Sequence, residues 1–327
     1  MKPIIPLLLT AALWSPAFVP ACAQTYPARP VRLIVPFPPG GSVDYVARAI
    51  QAKFSEELGQ TVVIDNRGGA SGTIGTYEAA RAAPDGYTLL MIFDTHTIND
   101  LLYKDLKYDT FKSFDYLSLI GTLPIVLMTS RQSGLDTLPK LLAEARSHPG
   151  KINYGTSGGG GVNHPNAGAF ESAAGVRFTH VPYRGGGALL SAILSGEVDV
   201  FMPSLPTAIR LAASNKVNAV GVGTATRQPQ LPDVPTIAEF LPGYLAESWV
   251  GLLAPAGLPE DVASKIEACL RQALDAPEVK SKLQAEGFKI VAGSSREFEE
   301  RARADALRWG KIVREQLSSE AGRPEAR

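Results

Sequence analysis

Pro36-Phe37-Pro38-Pro39-Gly40-Gly41-Ser42-Val43-Asp44 joins an apolar run to an amphipathic one, and the fold follows from how that join is read. Upstream, Val31-Arg32-Leu33-Ile34-Val35 has the β-branched character of a buried parallel strand. Downstream, Val43, Val46, Ala47, Ile50 and Phe54 recur at helical spacing and predict a helix with one face on a core. Two prolines stiffen the join, two glycines bare its backbone, and Ser42 reads as the N-cap. The first-turn amides of such a helix have no internal partner, and with the positive end of the helix dipole they favour an anion. An ordinary strand-to-helix turn would share these features, so the rest of the chain must separate the two readings.

Working outward, residues 61–64 predict a second strand and the glycine-rich loop 68–72 leads to a helix over about 73–82. Pro84-Asp85-Gly86 stops that helix ahead of a strand over 87–92. Strand and helix in alternation predict a parallel sheet with crossover helices, an α/β lobe. Asp94 and Thr95 then stand at the carboxyl end of the third strand, where open α/β sheets place ligands. Asp94 reads either as a cap for the next helix or as an acceptor facing a cleft, and His96 reads as a structural histidine.

An apolar strand-like run at 119–129 and a helix over about 138–147 precede a second elbow. There Ile152-Asn153-Tyr154-Gly155 runs into Thr156-Ser157-Gly158-Gly159-Gly160-Gly161-Val162-Asn163-His164-Pro165, with a helix to about 174. Pro165 suits a first helical position, which puts His164 at the cap. Strands at 178–182, 198–201 and 217–222 and a helix opened by Gly185-Gly186-Gly187 complete this second series. A proline-rich link at 228–236, a strand at 249–254 and helices over 260–273, 277–286 and 295–316 follow.

A chain of 327 residues, 45% of them hydrophobic, has material for two cores. Its 32 basic and 32 acidic residues balance without a Lys/Arg block, which argues against nucleic acid or an anionic membrane as partner. Lys2, the apolar run from Ile4 to Val19 and the small-x-small triplet Ala21-Cys22-Ala23 predict a secretory leader over 1–23. Val19-Pro20-Ala21-Cys22 is a poor lipidation box, so export to the periplasm as a free protein is preferred to a lipoprotein. Cleavage removes Cys22 and leaves Cys269, at helical spacing from Val262, Ile266 and Leu270, as a small buried residue with no disulfide partner.

Gly155-Thr156-Ser157-Gly158-Gly159 fits the nucleophile elbow of a hydrolase, which needs an acid and then a histidine later in the chain. Only His164 and His180 follow Ser157, and both are too close to leave room for the intervening strands. A secreted α/β hydrolase using Ser157 is therefore the alternative and not the expectation. No H-E-x-x-H or C-x-x-C supports a metal, and neither glycine-rich run ends in the G-K-[ST] of a phosphate loop, so no cofactor is expected. Two elbows facing each other would aim unpaired amides into one cleft and hold a carboxylate there.

At this point the chain resembles the solute receptors of tripartite tricarboxylate transporters, the Bug family. The resemblance rests on Pro36 to Asp44, Pro84-Asp85-Gly86-Tyr87, Thr95-His96-x-Ile98-Asn99, Asn153-Tyr154-Gly155-x-Ser157-Gly158, His180-Val181-Pro182-Tyr183-Arg184-Gly185, Leu231-Pro232-Asp233-Val234-Pro235-Thr236 and Ala254-Pro255-Ala256-Gly257, in order from about 26 to 317. It implies a type II periplasmic binding protein with two α/β lobes joined by a two-crossing hinge around a ligand cleft. Lobe one would be 26–123 plus 245–317, lobe two 124–244, and 318–327 a flexible tail. Carried over, the ligand contacts are Pro39, Gly40, Gly41 and Asp44 from the first elbow and Ser157, Gly158 and His164 from the second, and Asp94, Thr95 and Tyr183 are expected to join them in the ligand-binding set. The implied protein is a non-enzymatic monomer that takes a small carboxylate and passes it to membrane transporter subunits or a sensor. Where the family continues after His164 with Leu-Ala-Gly-Glu, this chain has Pro165-Asn166-Ala167-Gly168, and at Asp94 relatives carry a small hydroxyl residue. If Asp94 faces the cleft, the ligand bears an amine or hydroxyl beside its carboxylate.

Overall fold

Residues 26–156, 163–183 and 186–321 are described by a computed structural model. The leader at 1–23, Ser157, Gly158 and positions beyond 321 lie outside the described residues, as do the side chains of 163–165. Val31–Val35 forms β1 and Ser42–Leu58 forms α1. The helix buries Val43, Val46, Ala47, Ile50 and Phe54, the face that the spacing predicts, and ends on Gly59 in the left-handed region. Its start differs from expectation. Gly41 occupies the cap position, Ser42 is the first helical residue, and no side chain caps the helix.

β2 (Val62–Asn66), α2 (Thr73–Ala80) and β3 (Thr88–Phe93) follow, and β1 pairs in parallel with both strands. A one-turn α3 (Asn99–Leu102) leads to β4 (Phe114–Pro124). The apolar run at 119–129 is two strands, because the chain leaves one sheet at Ile125 and enters another as β5 (Val126–Ser130).

The second sheet continues with α4 (Leu138–Ser147), β6 (Asn153–Thr156), α5 (Asn163–Ala174), β7 (Thr179–Pro182) and α6 (Gly186–Ser195). β8 (Val200–Phe201), α7 (Leu205–Ala212) and β9 (Val217–Val222) complete it in the order β7-β6-β8-β5-β9. β6 runs parallel to β7 and β8, whereas β5 is antiparallel to β8 and β9. α5 begins at Asn163, so Pro165 sits within the first turn and not at its first position.

The chain then returns to the first sheet as β10 (Glu247–Pro255), packs α8 (Glu260–Asp275) and α9 (Pro277–Ala285) on it, adds β11 (Lys289–Gly293) and ends in α10 (Ser295–Ala321). The first sheet has the order β11-β4-β10-β3-β1-β2, with β10 antiparallel to β3 and β4. Both sheets are thus mixed and not purely parallel, because in each a strand arriving from the other sheet enters in reverse. Cys269 is buried on the inner face of α8.

Two crossings join the sheets, and they touch. The Ile125 amide donates to the Ala246 carbonyl at 3.1 Å, the Ala246 amide to Gly223 at 2.8 Å and the Gly223 amide back to Ile125 at 2.7 Å. α10 also lies across both cores: Phe298 and Ala302 pack in a cluster of the first sheet, while Trp309 and Val313 join Phe170 and Tyr244 under the second. The two lobes are therefore joined by one short backbone ladder and by α10.

Candidate functional site

The first elbow is built around a buried carboxylate. Asp44, 2% exposed, accepts at Oδ2 from the Gly40 amide at 2.8 Å and from Arg48 Nε at 2.8 Å, and at Oδ1 from Asn66 Nδ2 at 2.9 Å. Asn66 Nδ2 also donates to the Phe37 carbonyl at 3.1 Å, which ties the end of β2 to the elbow. Burial works to raise the Asp44 pKa, but the bonds from Arg48, Gly40 and Asn66 outweigh it and hold the carboxyl below its ordinary value. Gly40 adopts φ +82°, a conformation that turns its amide back toward Asp44 and that a side chain would strain. Pro39 and Gly40 are exposed, and Gly41 is half-buried. The Gly40 amide is therefore used inside the elbow, and the uncapped amides that remain available belong to the first turn of α1.

Across the gap, a second helix start stands against the first. Ser42 Oγ lies 2.9 Å from Ser204 Oγ, and Ser204 immediately precedes α7. Ser204 is held at the hinge: it bridges to Ile125, and the Val126 amide donates to the neighbouring Pro203 carbonyl at 2.9 Å. The sheet edge where β1 and β3 end thus faces the edge where β8 ends, with the hinge beside them. Thr156, the last residue of β6 before the second elbow, has its hydroxyl 2.7 Å from His180 Nε2.

These features have counterparts in known proteins. The sequence matches the tripartite tricarboxylate transporter family receptor over residues 46–317. The chain belongs to that family. It is 36% identical over 292 residues to the UPF0065 protein in the tcbD-tcbE intergenic region of Pseudomonas sp. (strain P51), covering 89% of this chain and 87% of that protein. Its fold is similar to R. palustris Rpa4515 with adipate, at TM-score 0.82 and 33% identity, covering 88% of this chain and 97% of that one. It is also similar to MatC (Rpa3494) from Rhodopseudomonas palustris with bound malate, at TM-score 0.79 and 32% identity, covering 88% and 100%. The two-lobed α/β architecture of a type II periplasmic binding protein is therefore the architecture of this receptor.

In this family receptor the β3 end is a buried polar wall. Asp94, 5% exposed, accepts at Oδ1 from Ser248 Oγ of β10 at 2.8 Å and does not cap a helix through its side chain. Burial pushes its pKa up to about 7, and the nearby Asp305 carboxylate adds to the rise, while Ser248, the Thr95 amide and Arg301 oppose it. Asp305 itself accepts from Trp249 Nε1 at 2.7 Å and from Arg301 Nε at 2.9 Å. Thr95 is buried at 3% exposure. His96 stacks on Tyr108 at 5.9 Å and contacts Phe114 edge-on at 5.4 Å, and burial pulls it down to about 4, so it is a neutral core residue.

The ordinary carboxyl titrates at 3.8 and the folded Asp94 near 7, so between these values the folded protein holds a proton that the unfolded chain releases. Stability therefore falls as pH rises through that window. Asp94→Asn, neutral throughout, should remove this fall: in thermal melts between about pH 5 and about pH 8 its melting temperature should decline less than that of the wild type. Parallel curves would mean that another group carries the dependence.

Of the expected contacts, Tyr183 is half-buried beyond β7 and donates from its hydroxyl to Glu197 Oε1 at 2.7 Å, and its amide donates to the Thr156 carbonyl at 2.8 Å. His164 lies in the first turn of α5. Among the described residues no group of three or more His, Cys, Asp or Glu side chains is placed to hold a metal, and no helix is long and apolar enough to cross a membrane. Sequence reasoning missed Arg48, Asn66 and Ser204. Arg48 follows Asp44 by one helical turn, a spacing that signals an ion pair, but Asn66 and Ser204 meet the elbow only through the fold.

Proposed function

We propose that this receptor captures a small carboxylate-bearing molecule between its lobes in the periplasm, as a monomer without enzymatic activity, and delivers it to a tripartite transporter or a sensor. The observation that carries the reading is the pair of uncapped helix starts, α1 and α7, brought face to face beside the hinge. Each presents backbone donors and a positive dipole end, and each belongs to a different sheet. A ligand held by both is held only when the lobes are together, so binding favours closure. Two similar proteins were solved with small acids, Rpa4515 with adipate and MatC with malate, which supports a small carboxylate as the ligand.

On this reading Pro39, Gly41, Ser157, Gly158 and His164 contact the ligand from the two elbows, Tyr183 and Thr95 line the wall, and Gly40 and Asp44 shape the first elbow. The boundaries of the lobes follow the crossings at Ile125 and Ala246, with α10 shared between them. The leader at 1–23 accounts for export.

Thermal melts against a panel of mono- and dicarboxylates that includes malate and adipate test the proposal. An acid at about 100 times its dissociation constant stabilises by roughly 2.7 kcal/mol and should raise the melting temperature by several degrees. No shift with any acid, together with turnover of generic esters that Ser157→Ala abolishes, would favour the hydrolase instead.

A further inference from the structure

A pocket of about 390 Å³ opens where α5, α10 and the segment leading into the crossing at Ala246 meet. Ala169 of α5, Leu241 and Tyr244 of that segment, and Arg308 and Ile312 of α10 line it. Ala169 stands on α5 roughly 9 Å beyond Asn163, its first residue, at about 1.5 Å per residue, and the pocket extends from there away from the second elbow. Its volume falls within the roughly 300–1,000 Å³ of small-molecule sites, and most of its lining residues are apolar. Two polar groups in it are unspent. The Tyr244 hydroxyl is buried, in a residue only 6% exposed, and has no hydrogen-bond partner among the described residues. Buried polar groups are rarely left so, because the bond to water that they give up is costly. Arg308 makes no ion pair among the described residues: its Nη2 donates to the Leu245 carbonyl at 3.1 Å, and the guanidinium lies 4.6 Å over the Trp309 ring. The Arg308 charge is felt at Tyr244, where it opposes the rise in pKa that burial causes.

We propose that this pocket is a second binding site, separate from the cleft between the elbows, and that it takes a small monocarboxylic acid with an apolar tail. A carboxylate is the acceptor that both unspent groups lack, since its two oxygens accept from a guanidinium and from a phenol at once. Hydrogen bonds to a charged acceptor are roughly twice as strong as neutral ones, so the phenol gains more from a carboxylate than from water. A cation in the pocket would be repelled by Arg308, and a neutral molecule would leave its charge unanswered. Leu241, Pro242, Ile312 and Ala169 offer an apolar tail a surface but give a second carboxylate no donor. The class of ligand therefore differs from that of a dicarboxylate, and the site stands whether or not the cleft takes one.

Titration of the full chain with octanoate, followed by calorimetry and by tryptophan fluorescence, tests the inference on wild type, Tyr244→Phe and Arg308→Gln. Wild type should bind octanoate saturably and change its fluorescence, because Arg308 leaves the Trp309 ring to meet the carboxylate. Each variant should bind about tenfold or more weakly, and octanamide, of the same shape without the charge, should lose at least as much on wild type. Tyr244→Phe carries a second readout. Since it removes a buried hydroxyl that has no partner, its melting temperature without ligand should equal or exceed that of wild type. A fall of several degrees would show that the hydroxyl serves the fold and would overturn the inference. So would wild type that shows no saturable binding of octanoate, or variants that bind it as tightly as wild type does.

Discussion

Asp44→Ala is expected to lower the melting temperature by several degrees and to weaken acid binding by about tenfold or more, although Asp44 itself spends its oxygens inside the elbow. Removing the carboxylate leaves the Gly40 amide without its acceptor and frees one hydrogen of Asn66, in a turn that already holds Gly40 at positive φ. Hydrogen bonds to a charged acceptor are worth about 1.5–3 kcal/mol each, and the elbow loses those that Asp44 accepts. The elbow then has no reason to keep the shape that presents Gly41 and the first turn of α1 to the cleft. Asp44→Asn should fall between, since one oxygen still accepts while its amide faces donors. The pH dependence has a defined sign: the depressed Asp44 pKa contributes stability above its ordinary value of 3.8 that is lost as pH falls through and below it. Alanine at this position should remove that acid-side loss. Unchanged melting and affinity in Asp44→Ala would show that the elbow does not depend on it.

Gly223→Ala should have the second large effect, through the hinge. A β-carbon at Gly223 would lie 2.4 Å from the Ala246 carbonyl oxygen and 2.8 Å from the Ala246 β-carbon, closer than any real contact. The two crossings must then spread, and the ladder that joins Ile125, Ala246 and Gly223 weakens at every rung. Overpacking of this kind costs about 1–3 kcal/mol. Whatever part of that cost falls more heavily on the closed form than on the open one lowers affinity, about tenfold for each 1.4 kcal/mol. The variant should also scatter as a larger particle in the presence of acid than wild type does. Gly186→Ala is the control, because its added carbon meets nothing within 4 Å and lies in α6, away from the hinge. A Gly223→Ala protein that binds as tightly as Gly186→Ala would place the pivot elsewhere.

Local physics accounts for what the sequence disclosed. β1 and α1 were legible because five apolar residues at helical spacing follow a β-branched run, and both signals lie within a few turns of chain. α4 and α8 were legible for the same reason, with Thr137 capping the first through a bond to the Lys140 amide and the second amphipathic along its length. The split of 119–129 into β4 and β5 was not legible, because both halves are apolar and the cue is the partner strand. β11 escaped because its side chains alternate between exposed and half-buried at a sheet edge, a pattern too weak to mark a strand. β8 pairs over two residues, so the strand and the turn to Ser204 after it are specified by tertiary contacts.

The site divides along the same line. The first elbow was legible from Pro36 to Asp44 as a structure that exposes amides, but the cap was misplaced by one residue because Gly41 takes it and leaves Ser42 free to reach Ser204. Asp94 was legible as a polar residue at the right strand end. That it meets Ser248, 154 positions away, could only come from the sheet that sets β10 against β3.

The central claim is that charge on a small acid, seated between two helix starts, is what the cleft recognises. Calorimetric titration with an acid that raises the melting temperature, run beside the matched primary amide of the same acid, tests it most directly. The account predicts one site per chain for the acid and binding weaker by about a hundredfold or more for the amide, which offers the same shape without the charge. Equal affinity for acid and amide would contradict it.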